Sequence, residues 1–376
     1  MLRVVPMIRS LEGLRGIAAL LVALYHLGIG ASQLSLIRNG YLFVDLFFVL
    51  SGYIMCAAYA QRMESGDDLR VFLVRRIGRL FPLLVFSTLA FVLLANLIVL
   101  GKRLFVAQGH DGVLNNPQAL EWLIPSAAEI VATLTLTHGL GVFDRLILNT
   151  PSWSISVEFY AYLLFAALCL GMTTRARMAA FAFAVFIGAA ISVWASITVH
   201  DCLVMRGCMS LTYDFGFPRA VYGFFLGVLV HHARATIRGR EVMLQWLSLG
   251  LLGMTFAFVD GYPALAFGLP PVFALLIMSV GTDAGPVAHA FKPRPLQRLG
   301  QWSYSIYLMH MPLLLIFANI AGRAESTWAQ IAVLVTFVAL LLAVSAFTYR
   351  YVEDPMRARF NRLALRRAQA VDTPRA

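Results

Sequence analysis

Apolar and polar positions along this chain fall into long blocks rather than a short alternation. Ten apolar runs lie at about 11–29, 41–60, 81–100, 153–172, 178–199, 217–233, 243–259, 263–281, 302–320 and 328–350, separated by short clusters of arginine and lysine. Each is roughly 17 to 22 residues long, enough for a helix rising about 1.5 Å per residue to cross a bilayer's hydrocarbon core. The pattern predicts an all-α polytopic membrane bundle of about ten transmembrane helices. No internal repeat, heptad or low-complexity tract interrupts it.

One stretch is ambiguous. AAEIVATLTLTHGLGVFDRLIL, at 127–148, is partly apolar but holds Glu129, His138, Asp144 and Arg145. With ten spans, and with the N- and C-termini both cytoplasmic, most lysines and arginines fall on the cytoplasmic side. An eleventh span at 127–148 would invert everything after it and move most of the later ones to the outer face. The positive-inside bias therefore predicts a re-entrant or membrane-surface segment. Residues 1–355 read as the membrane domain and 356–376 as a basic cytoplasmic tail. Residues 1–31 also resemble a cleaved leader with GIGAS near its end, but nine further spans favour an uncleaved first helix.

Composition agrees with the hydropathy pattern. Of 376 residues, 60% are hydrophobic and 13% charged, against about 25% charged in soluble domains. The net charge of +11 would suit nucleic acid only if it formed one exposed stripe; scattered between apolar runs, it reads as a topology signal. The four cysteines show no metal-ligand spacing. Cys56 and Cys169 sit in apolar spans as core residues, whereas Cys202 and Cys208 share a polar loop. That pair could join if the loop faces an oxidising compartment, which spacing alone does not decide.

Candidate chemistry lies in the polar residues inside the apolar runs. Arg15 and His26 are eleven positions apart, which at about 100° per residue is three turns plus roughly 20°, so they share a face about 16 Å apart. Arg15 could equally snorkel to headgroups or pair with Glu12. His26 is costlier to place against lipid and reads as functional. Asp45 and Glu158 enter from the outer side to a similar depth, and either could orient the His26 imidazole as a base. A purely structural network would look the same. Arg75, Arg76 and Arg79 fall on adjacent helix positions and could together meet one anion, although plain positive-inside charge explains them when taken alone. Tyr304, Tyr307 and His310 follow an i, i+3, i+6 spacing in the ninth span. Tyr349, Arg350 and Glu353 precede Pro355 and predict a helix stop with a local ion pair.

These stretches have a familiar arrangement. In the order and spacing of SLEGLRGIAALLVALYH, GYLFVDLFFVLSGYIM, RRIGRLFP, SWSISVEFY, SYSIYLMHMP and YRYVEDP, the chain resembles the acyltransferase 3 family of bacterial integral membrane O-acyltransferases, from about Leu11 to Pro355. The resemblance implies a multi-pass protein of the bacterial inner membrane that moves an acyl group, most often acetyl, from cytoplasmic acyl-coenzyme A to a hydroxyl of an extracytoplasmic carbohydrate or glycolipid. It associates activity with His26 and Arg15 and with Arg76 and Arg79, and it involves no metal and no nucleic acid. Some members add an esterase-like domain after the spans; this chain ends soon after the tenth and is expected to act alone or with a partner.

On this reading His26 is the general base, and Arg15, Arg75, Arg76 and Arg79 hold the anionic donor. The competing expectation is a proton-coupled secondary transporter with His26, Asp45 and Glu158 as its relay and no coenzyme A; the absence of a visible inverted repeat counts against it. The loops at 30–40, 101–152 and 200–216 should read the acceptor. They offer His110, Asp111, Asn115, Asn116 and His138 as exposed candidates.

Overall fold

The computed structural model of the protein describes residues 7–60, 63, 65–108 and 120–371, without the side chains of Asn319 and 365–371. The described residues are helical and contain no strand. The helices are α1 Arg9–Leu27, α2 Ser35–Arg38, α3 Phe43–Tyr59, α4 Gly66–Ala107, α5 Ala127–Leu134, α6 Ser152–Gly171, α7 Thr174–Trp194 and α8 Cys202–Met205. They continue as α9 Gly216–Ala233, α10 Glu241–Phe258, α11 Leu269–Val280, α12 Pro286–Ala290, α13 Arg294–Ala321, α14 Thr327–Thr348 and α15 Asp354–Val371. Among the described residues, nine helical stretches are long and apolar enough to cross a membrane. The remaining expected span, 302–320, lies within the 28-residue α13.

Local chemistry starts these helices, and tertiary contacts complete them. Ser65 and Asp68 form a reciprocal capping box at the start of α4, satisfying N–H groups that have no intrahelical partner. α1 has no cap of its own. The Asp283 carboxylate, far along the chain, accepts the Arg9 N–H at 3.3 Å and the Ser10 N–H at 2.9 Å instead. At its other end Gly28 takes a left-handed φ of 76° and returns its N–H to Leu24, a conformation glycine adopts without steric cost.

Two glycine-mediated contacts set the bundle. A Cβ on Gly300 would overlap the backbone carbonyl of Glu12, and one on Gly16 the backbone of Leu299 and Gly300, so α1 and α13 touch backbone to backbone. A Cβ on Gly52 or Gly227 would likewise strike the carbonyls of Phe224 and Val49, which joins α3 to α9. Small residues permit such approach between helices in lipid, where no hydrophobic force drives them together. From Gly16–Gly300 to His26–His310 both partners advance by ten residues, so α1 and α13 run parallel. α4 follows the same direction, with Leu80 beside Tyr304 and Ser87 linked through Asn149 to Leu308.

One expectation is corrected, and two gain detail. The 127–148 stretch does not form a spanning helix. α5 has eight residues, about 12 Å at about 1.5 Å each, and the chain then turns back so that Leu136 and Gly139 bond to Ser156. Pro355 does not end the last helix. A wide π-helical turn, Tyr349–Glu353, precedes it, and α15 begins at Asp354 with proline where no N–H is needed. α15 then packs on α4, with the Phe360 ring filling the space beside Gly78. Finally, Cys202 and Cys208 are joined as a disulfide with Cα atoms 4.7 Å apart.

Candidate active site

A cavity of about 120 Å³ lies where α1, α3, α4, α6 and α13 meet. Its charged and polar wall includes Arg15, Arg76, Arg79, Glu158, Tyr162 and Tyr307. Arg15 donates from Nη2 to Glu12 at 2.7 Å and to the Gly300 carbonyl at 2.9 Å, which anchors it to both α1 and α13. Arg79 pairs with Glu353, whose second oxygen accepts the Ser305 hydroxyl at 3.0 Å. The Arg76 guanidinium lies 5.8 Å from the Tyr59 ring centroid and 5.9 Å from that of Tyr162. It forms no ion pair among the described residues. Glu158 accepts the hydroxyls of Ser51 and of Tyr162, one helical turn on. Arg15 and Arg79 are held by Glu12 and Glu353, so Arg76 is the guanidinium on this wall left open to an anionic guest.

From this cavity a line of rings leads towards the C-terminal end of α1. Tyr307 lines the cavity, and its ring centroid is 5.9 Å from that of His310. His310 in turn lies 4.9 Å from His26. His310 is fully buried, and neither of its ring nitrogens has a hydrogen-bond partner. His26 is different. Its Nδ1 lies 3.0 Å from the Val22 carbonyl, which can only accept, so Nδ1 carries the proton and Nε2 keeps a free lone pair. The ring is exposed and forms part of the wall of a second, larger space of about 460 Å³ between α4 and α13.

The expected orienting carboxylates are therefore engaged elsewhere. Asp45 forms a buried two-point pair with Arg219, Oδ1 to Nε at 2.9 Å and Oδ2 to Nη2 at 2.8 Å. Arg219 further donates to Leu211 and Tyr41 carbonyls and lies over Trp153. Glu158 belongs to the arginine cavity rather than to His26. The Val22 carbonyl of the same helix does what a carboxylate was expected to do. Arg75 does not line the cavity, so the arginine cluster is Arg15, Arg76 and Arg79 rather than Arg75, Arg76 and Arg79. Glu353 goes to Arg79 and not to a local arginine. His138 is buried against Ser152 at 3.0 Å, not exposed. His110, Asp111, Asn115 and Asn116 lie outside the described residues.

Tyr304 donates its hydroxyl to the Leu80 carbonyl at 2.6 Å and lies beside Arg79. Sequence reasoning missed Ser51, Tyr162 and Arg219, and it gave Glu353 a local partner instead of Arg79. Tyr162 had a signal, since it stands four residues after Glu158 on one helix face. Arg219 had one as well, a charge inside the apolar run 217–233. Nothing local marked Ser51 or the Arg79–Glu353 pairing. Among the described residues, no group of three or more His, Cys, Asp or Glu side chains could hold a metal ion.

A bundle of long apolar helices enclosing an arginine-lined cavity beside a histidine pair defines a multi-pass membrane protein with a polar site inside its bundle. The chain belongs to the acyltransferase 3 family, whose description, acyltransferase domain, covers residues 8–350. It is 26% identical over 384 residues to the putative peptidoglycan O-acetyltransferase YrhL of Bacillus subtilis, an alignment covering 93% of this chain and 55% of that protein. It is 24% identical over 372 residues to the peptidoglycan O-acetyltransferase OatA of Listeria monocytogenes, with 93% and 55% covered. Against the O-acetyltransferase OatA of Staphylococcus aureus it is 25% identical over 370 residues, with 93% and 57% covered. The chain thus spans about half the length of the curated relatives it matches. No solved structure matches it.

Proposed function

We propose that the chain is an O-acyltransferase of the bacterial inner membrane, carrying an acyl group from cytoplasmic acyl-coenzyme A to a carbohydrate hydroxyl of the cell envelope. The observation that supports this most is the continuous run from Arg15, Arg76 and Arg79 through Tyr307 and His310 to His26. On this reading the Arg15 end of the bundle faces the cytoplasm. The three guanidiniums receive the phosphates, and the narrow cavity takes the slender thioester arm. The rings of Tyr307 and His310 stand between that arm and His26. The His310 ring is fully buried, with neither nitrogen engaged by another side chain.

His26 Nε2 takes the proton of the attacking hydroxyl. The oxygen bonds to the acyl carbon, the carbon–sulfur bond breaks, and the proton ends on the released thiol. A positioned base of this kind contributes about 10²–10⁴-fold. The activities named for the relatives support the same reaction class, and peptidoglycan is the first acceptor to try.

The test is a thermal-shift titration of the detergent-purified chain with acetyl-coenzyme A, beside Arg76→Ala. Arg76 is the informative position because removing it strands no carboxylate. A saturable rise that follows mass action and weakens in the variant is expected. A folded protein whose melting temperature does not respond to the ligand at all would overturn the donor assignment.

A further inference from the structure

The larger space beside His26 has no role in the reading so far. It lies between the second half of α4 and the second half of α13, and its volume is about 460 Å³ against about 120 Å³ for the arginine cavity. His26 and Lys102 are its polar residues; the rest of its wall is alanine, valine, leucine, isoleucine and methionine, including Val99, Met311, Leu314 and Ala318.

Three features define what could fill it. A sugar would leave several hydroxyls without partners on such a wall, each at a desolvation cost. A hydrocarbon chain leaves none. The space also begins at the base itself, so whatever occupies it adjoins the reacting carbon. Its length is finite: Ala95 and Lys102 are seven residues apart, about 10 Å along α4. Lys102 marks the far end. Arg103, its neighbour, stacks on Trp122 at 4.9 Å, the arginine–tryptophan pairing expected at a membrane interface. Arg79 and Lys102 bracket a run of α4 without a charged residue, about 35 Å long.

We propose that this groove is the binding site for the hydrocarbon tail of the acyl group, and that the chain therefore transfers a medium-length acyl group in preference to acetyl. The proposal rests on the donor reading above. The thioester carbonyl meets His26, and the tail lies along Val99, Leu314 and Ala318 towards the interface. The acceptor approaches past the end of α1, where Tyr25 contacts both His26 and Tyr41.

The experiment compares acetyl- and octanoyl-coenzyme A as ligands of the full chain in nanodiscs, with Ala318→Trp as the variant. Ala318 is exposed in the groove, so a tryptophan there fills space without displacing the core. Octanoyl-coenzyme A is expected to bind at least about tenfold tighter than acetyl-coenzyme A, since six extra methylenes are buried and only part of that burial survives as affinity. Ala318→Trp should abolish this preference and leave acetyl-coenzyme A binding unchanged. Equal binding of the two ligands in both proteins would overturn the groove assignment while leaving the donor reading intact. Binding of neither ligand by folded protein would overturn both.

Discussion

His310 faces His26 with ring centroids 4.9 Å apart, and the two imidazoles are held very differently. His26 is fixed by the Val22 carbonyl, whereas His310 is buried with both nitrogens unpaired. A buried polar group without a partner is costly, so His310 is expected to act when a ligand or a neighbouring imidazole offers it a proton. His26→Ala should lower transfer by about 10²–10⁴-fold with donor binding retained. His310→Phe, which keeps a ring in the gap, should lower kcat and change its pH profile without changing donor affinity. An unaltered kcat and pH profile in His310→Phe would leave His310 as packing alone.

The Asp45–Arg219 pair is structural on this geometry, and its energetics can be separated from catalysis. Asp45→Ala leaves a buried guanidinium without its counter-charge and should destabilise the protein by about 3–5 kcal/mol. The double variant Asp45→Leu with Arg219→Met removes both charges and should recover most of that loss. Thermal denaturation in one detergent compares the three. If the double variant is as unstable as Asp45→Ala, the charge argument fails.

Glycine at helix crossings makes a second stability prediction. Gly52→Ala places a methyl against the Phe224 carbonyl and should cost about 1–3 kcal/mol through overpacking. Gly250→Ala, on α10, meets open space and should be neutral or stabilising by up to about 1 kcal/mol, the helix-propensity difference. The melting temperature should fall for Gly52→Ala and not for Gly250→Ala, and a shared loss would mean that helix contact is not what Gly52 protects.

Asp283 gives the predicted pH dependence. Burial raises its carboxyl, but the Ser10 N–H, the Lys292 charge and the Arg9 N–H outweigh that and hold it below the ordinary carboxylate range. A carboxylate with a lowered folded pKa contributes stability above its unfolded value, near 3.9, and loses it as pH falls through the folded value. The wild type should therefore lose melting temperature below about pH 4, and Asp283→Asn should lose less over the same interval. Asp283→Ala should cost about 0.5–2 kcal/mol at neutral pH, the scale of a helix cap. Parallel acid curves for wild type and Asp283→Asn would remove Asp283 from the account.

Much of the architecture was legible in the sequence. The apolar runs became helices, the polar stretch at 127–148 did not become a spanning helix, and Arg15 and His26 share α1 as their spacing predicted. The arginine cluster was legible only in part: Arg76 and Arg79 reach the cavity, but helix geometry alone did not show that Arg75 misses it. Pro355 misled for a local reason. Proline is excluded from a helix interior but not from a first turn, and Pro355 stands in the first turn of α15, just after the wide turn at Tyr349–Glu353.

By itself the sequence determined what depends on neighbours along the chain. Hydropathy, helical rotation and the spacing of charged clusters are short-range quantities, and they define the spans and the face on which Arg15 and His26 lie. Tertiary structure decided the partners. Asp45 meets Arg219 across 174 residues and Arg79 meets Glu353 across 274. Inside a membrane a charge must find whichever opposite charge the packing brings near, because water is absent. The close approach of α1 to α13 and of α3 to α9, permitted by glycine, fixed which ones those were. It also left His26 facing His310 rather than a carboxylate.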